Sequence, residues 1–117
     1  MNGEFTKEDL EYYKKERPGE FGRYMKVWEV VSVEAKRINC RVNKNEFETN
    51  LNVTKISRIT DVSIDGVRKR LIEQNSLGAI IYRHVGSGSQ TIIRVKDNKQ
   101  SRYLDRELKK AKEEGLL

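Results

Sequence analysis

Arg68, Lys69 and Arg70 stand side by side in a stretch, Val53 to Leu71, that also carries Lys55 and Arg58. Arg83, His84 and Arg94 follow it. Guanidinium and ammonium groups are donors without acceptors, and the partners that suit them are phosphate oxygens and the acceptor edge of guanine. The chemistry expected of this set is anion binding. The chain has a single His and a single Cys, so it cannot assemble a His-rich or Cys-rich metal site. Its carboxylates fall mainly on helical faces without a paired catalytic arrangement, so no enzyme activity and no cofactor are expected.

The elements that must position these cations are legible in the spacing. Ile56 and Ile59 lie one helical turn apart, Val62 falls in a break, and Val67 and Leu71 recur at the four-residue interval of a second helix. These five residues are expected to close a small core. Ser63 suits an N-cap and Asp65 suits the positive end of the helix dipole. Two short helices across a tight turn make a helix-turn-helix, and a basic second helix predicts double-stranded DNA as its partner. The residues expected at the DNA are Lys55, Arg58, Ser63, Asp65, Gly66, Arg68, Lys69 and Arg70. Gly66 costs the second helix about 1 kcal/mol relative to Ala, so either the backbone approaches something closely there or the helix is slightly weak.

Leu77 and Gly78 mark a helix stop. Two β-branched runs follow, Ala79 to Val85 and Thr91 to Val95, separated by Gly86, Ser87, Gly88, Ser89 and Gln90. They predict a hairpin with a narrow Gly/Ser tip. The tip lacks the Lys-Ser or Lys-Thr and the strand-to-helix context of a nucleotide phosphate loop. Helix, turn, helix and hairpin in this order resemble the winged helix-turn-helix superfamily over roughly residues 21 to 96. Val62 and Ser63, Val67 and Arg68, Leu71, and Gly78 before the first wing strand resemble GntR-type bacterial regulators in particular, with departures at Ile64, Gly66 and Gln74. The resemblance implies an α+β, mainly α fold, with the second helix in a major groove and the wing on minor groove or backbone. Arg83, His84, Ser87, Gly88, Ser89, Gln90 and Arg94 are the wing residues it assigns to DNA.

Charge distribution points the same way. The chain carries 24 Lys and Arg against 18 Asp and Glu, and from Lys55 to Arg102 the balance is ten against four, so the net charge of +6 resides in that segment. A footprint on a polyanion segregates charge like this. No basic amphipathic helix with an aromatic face suggests a membrane surface. No apolar run or signal-peptide pattern suggests insertion or export, so a cytoplasmic location is expected. At 117 residues there is room for one domain and appended helices but not for a small-molecule effector domain.

The remaining segments are expected to be scaffold. Thr6 and Asp9 have the spacing of a capping box, and Pro18 and Gly19 are expected to end that helix, giving an accessory segment over 1–19. Phe21, Tyr24, Trp28, Val31, Ala35 and Ile38 form one continuous helical stripe that opens the main domain, 20–97, with Val27, Val30 and Val33 widening it. Asn39 to Asn52 reads as a loop with a short strand, and Cys40 as a buried thiol without a role. Within 98–117, Leu104, Leu108 and Ala111 mark an amphipathic helix over Ser101 to Glu114, expected to pack against its copy in a homodimer. The function expected is a small transcriptional repressor or an accessory factor at a plasmid or phage replication, segregation or transfer origin. The alternative is a winged helix used for protein assembly, with Ile64 as the residue that hints at it.

Overall fold

Thr6 begins the first helix as its type and spacing require. Its Oγ1 accepts from the Asp9 N–H at 3.3 Å, while the Asp9 carboxylate accepts from the Thr6 N–H at 2.8 Å, so two otherwise orphaned donors are satisfied at the start of α1, Lys7–Glu16. The computed structural model describes residues 4–38, 40–85 and 90–117, excluding the side chains of residues 84, 85 and 90. Pro18 does more than end α1. It is the first residue of α2, Pro18–Ile38, where its missing N–H is no loss and its fixed φ suits the helix. Phe21, Tyr24, Trp28, Val31 and Ala35 are buried along α2 as the stripe predicts; Val27 joins them, whereas Val33 faces solvent.

The Asn-rich connector is a hairpin rather than a loop with one strand. β1, Cys40–Asn43, pairs antiparallel with β2, Glu46–Glu48. The Asn43 side-chain oxygen accepts from the Asn45 N–H at 2.9 Å, and Arg41 donates to the Lys44 carbonyl while its guanidinium lies 4.7 Å from the Phe47 ring centroid. Cys40 is exposed on this outer strand, not buried as expected.

α3, Val53–Thr60, is capped by Asn52, whose oxygen accepts from the Lys55 N–H at 2.8 Å. The chain leaves α3 through Asp61 at φ 60°, a left-handed conformation that Asp tolerates. Ser57 Oγ donates to the Val62 carbonyl at 2.6 Å across the turn. Ser63 then caps α4, Ile64–Leu77, accepting from the Gly66 N–H at 3.1 Å. Ile59 does not close the core with Ile56. It is 61% exposed, and Thr60, which donates to the Ile56 carbonyl at 2.7 Å, takes the inward position.

Gly78, at φ 97°, ends α4 with its N–H near the Gln74 and Asn75 carbonyls. β3, Ile80–Val85, and β4, Gln90–Lys96, form the expected hairpin, with Ile80 opposite Val95 and Tyr82 opposite Ile93. β2 pairs with the far edge of β4, Phe47 opposite Val95, so the sheet order among the described residues is β1-β2-β4-β3, antiparallel throughout. Asn98 caps α5, Lys99–Glu113. The architecture is α+β and mainly helical: five helices and one small antiparallel sheet among the described residues. None of these helices is long and apolar enough to cross a membrane.

α5 packs on its own chain. Leu104 and Ala111 are buried in the cluster that also holds Leu10, Trp28, Leu71 and Ile93, so the terminal helices share one core with the middle of the chain. Trp28 Nε1 donates to the Asp105 carboxylate at 3.1 Å, and Lys14 lies 3.7 Å from Glu107. The apolar side expected to meet a second copy is thus spent within the chain. Leu104→Ala should lower the unfolding free energy by about 2–5 kcal/mol, read as a lower denaturant midpoint at unchanged slope.

Candidate nucleic-acid interface

α4 buries polar as well as apolar side chains. Val67 and Leu71 anchor it to the core, and the polar Arg70, Glu73 and Gln74 lie buried beside them. Ile64, Asp65, Arg68, Lys69 and Ile72 face solvent. The helix advances about 100° per residue, so once Val67 and Leu71 point inward, Arg70 and Gln74 must follow and the opposite side must look outward. Gln74 uses its position by donating from Nε2 to the Tyr24 carbonyl on α2 at 3.1 Å.

Arg70 therefore leaves the set of residues expected at DNA. It is 1% exposed. Its Nη1 is 3.4 Å from a Glu20 carboxylate oxygen and donates to the Glu20 backbone carbonyl at 3.3 Å. Its Nε is 3.0 Å from Glu73 Oε1, close enough for an ion pair although the two atoms are out of line for a hydrogen bond. The guanidinium also lies 5.3 Å from the Tyr13 ring centroid, and the Tyr13 hydroxyl donates to the second Glu73 oxygen at 2.5 Å. Burial, reinforced by Glu73, pushes the Tyr13 hydroxyl up to about 12, which keeps it a donor at neutral pH. Burial raises the Glu73 carboxyl above its ordinary value, against the pull of Tyr13 and Arg70. Burial also pushes Glu20 up, but Arg70, Lys69 and Arg23 outweigh it and hold that carboxyl below its ordinary value.

The cations that remain outward differ in their commitments. Arg68 lies 3.5 Å from Asp65 one turn back, and Lys69 lies 3.5 Å from Glu20. Pairs this exposed hold their partners weakly. Lys55 and Arg58 on α3 and Arg83 on β3 are exposed and enter no ion pair among the described residues. Arg94 is different again. Half-buried, it spans the sheet to Glu48 at 3.0 Å and Glu46 at 3.8 Å, which gives it a role in joining β4 to β2.

Ser63 and Gly66 work in the turn. A Cβ at position 66 would meet Val62 Cγ1 at 2.8 Å and Ser63 Oγ at 3.1 Å, so the glycine allows the turn to close against the first turn of α4. Of the two explanations for Gly66 the close approach is the one observed. In the β3–β4 hairpin, His84 and Gln90 pair through their backbones with Thr91 and Val85. Their side chains, and Ser87, Gly88 and Ser89, lie outside the described residues.

Two features escaped the sequence reading. Ile59 and Ile72 are exposed alongside Ile64, and Glu20 on α2 contacts both Arg70 and Lys69. A helical wheel through Val67 and Leu71 places Ile72 about 100° or more from both and so outside, whereas Ile64 falls on their side and is exposed as the first residue of α4. Glu20 carries no such signal, being fifty residues away. No family model matches the chain, and no curated protein or solved structure matches it either.

Neighbouring arginines should behave oppositely. Arg70→Ala strands Glu73 in the interior and should cost about 3–5 kcal/mol of stability, whereas Arg68→Ala should stay within about 0.5 kcal/mol, both read by denaturant unfolding. Gly66→Ala should also lower stability, because pushing a stiff, buried Val62 aside costs about 1–3 kcal/mol and exceeds the gain in helix propensity of about 1 kcal/mol.

Proposed function

We propose that this protein binds double-stranded DNA in a sequence-specific manner as a winged helix-turn-helix, with α4 in the major groove and the β3–β4 hairpin against backbone or minor groove. The observation that carries the reading is the outward face of α4. It presents Arg68 and Lys69 on a rigid, capped helix whose other side is committed to the core. Side chains placed this way can reach base edges without loss of packing.

The order of elements supports the same reading. α2, β2, α3, α4, β3 and β4 follow in sequence with β2 beside β4, the arrangement of a winged helix to which α1, β1 and α5 are additions. Lys55 and Arg58 on α3 suit phosphates flanking the groove, and Arg83 lies on the strand leading to the wing tip. Within this reading the protein serves as a small repressor, or as an accessory factor marking an origin on a plasmid or phage. A protein-assembly role is the second reading, favoured by the exposed Ile59, Ile64 and Ile72.

Salt separates the two. For DNA binding, log K should fall linearly with log salt, each neutralised phosphate adding about 0.9 to the slope, and Lys55→Ala or Arg58→Ala should reduce the slope by about one. The Arg68→Ala, Lys69→Ala double variant should keep its thermal midpoint yet lose about 1–3 kcal/mol of discrimination for a duplex selected from a random library. A flat salt response, or no duplex binding at low salt, favours protein assembly.

A further inference from the structure

α4 buries Arg70, Glu73 and Gln74 and exposes two isoleucines, Ile64 at 41% and Ile72 at 57%. Isolated exposed apolar residues are ordinary, but here the same helix buries polar side chains beside Val67 and Leu71 while leaving two isoleucines in solvent. The exposed pair is also ordered. Positions 64, 68 and 72 each advance by about 40° around the helix and about 6 Å along it, so Arg68 lies between the two isoleucines on a shallow stripe. Asp65 and Lys69 flank the stripe, with Asp65 3.5 Å from the Arg68 guanidinium.

We infer that Ile64 and Ile72 are specificity-determining residues that read the 5-methyl groups of thymines on either side of a guanine contacted by Arg68. The inference rests on the DNA-binding reading above and names what that surface recognises. In the major groove thymine presents the one apolar group among the four bases, whereas guanine presents two acceptors that suit a guanidinium. A spacing of about 6 Å along the helix corresponds to roughly two base-pair steps of about 3.4 Å. An apolar, cationic, apolar stripe is thus complementary to a thymine, a guanine and a thymine set about two base-pair steps apart from one to the next. The exposed cations of the same two helices, Lys69 on α4 with Lys55 and Arg58 on α3, favour a polyanion over an apolar protein partner as its occupant.

Deoxyuridine tests the inference, since it differs from thymidine at the base only by the missing methyl. Duplexes enriched from a random library by the wild-type protein are resynthesised with uracil replacing thymine one position at a time, and affinities are compared by fluorescence anisotropy. At one or more positions uracil should weaken wild-type binding about fourfold, the worth of a buried methyl. Ile64→Ala or Ile72→Ala should erase that difference at its own position and leave the other intact. Both side chains are exposed, and unchanged thermal midpoints would show that the fold is kept. If uracil is tolerated everywhere, or if both variants still discriminate as wild type does, the inference is overturned while DNA binding stands. If no duplex is enriched, the DNA-binding reading falls and this inference falls with it, leaving the isoleucines to a protein interface.

Discussion

The guanidinium of Arg70 lies in the interior between the carboxylates of Glu20 from α2 and Glu73 from its own helix, with the Tyr13 ring of α1 close by. A charge removed from water on this scale persists only where countercharge and hydrogen-bond acceptors meet it, and losing either partner leaves an uncompensated ion. The cluster therefore ties α1, α2 and α4 together at one rotation of α4. A turn of that helix by one residue would carry Arg70 away from the Glu20 carboxylate on α2 and bury Arg68 or Lys69 among apolar side chains. Which basic residues face outward follows from where Arg70 is held.

The entry to α4 is constrained as closely as its rotation. Asp61 turns the chain in the left-handed region, Ser57 holds the Val62 carbonyl, Ser63 caps the helix, and Gly66 leaves room for Val62. Each contact acts on the few residues between α3 and α4, so the two helices meet at a defined angle before the rest of the core contributes. At the other end Asn75 accepts from the Tyr82 N–H at 3.2 Å, and the Gln74 carbonyl takes the Ala79 N–H at 3.1 Å, which carries the helix position into β3. Short local bonds thus fix α4 at both of its ends.

Glu20 links scaffold and surface. The same carboxylate meets buried Arg70 and exposed Lys69, with Arg23 at 3.0 Å. The net positive charge counted from Lys55 to Arg102 is consequently not all outward: Arg70 is neutralised inside, and Arg94 is matched across the sheet by Glu46 and Glu48. What remains for a polyanion is a narrower set, Lys55, Arg58, Arg68, Lys69 and Arg83, and its alternation with Ile64 and Ile72 makes the surface as much a matter of shape as of charge.

Local chemistry was written plainly in the sequence. Thr6 with Asp9, Ser63, and Gly78 marked helix ends because capping involves residues within a few positions of each other. The long stripe of α2 and the β3–β4 hairpin followed from periodicities of 3.6 and 2. Tertiary structure decided the rest. β1 and β2 form from an Asn-rich segment because β4, more than forty residues later, offers β2 an edge to pair with. Ile59 lost the core to Thr60, which lies four residues after Ile56 on the buried side of α3. Arg70 could not be told from Arg68 by residue type, since both are arginines on one basic run. Helix geometry turns Arg70 to the side of Val67 and Leu71, but only the arrival of Glu20 and Tyr13 from distant helices gives it the partners a buried ion needs, because the cost of desolvating a charge depends on partners that sequence proximity does not supply.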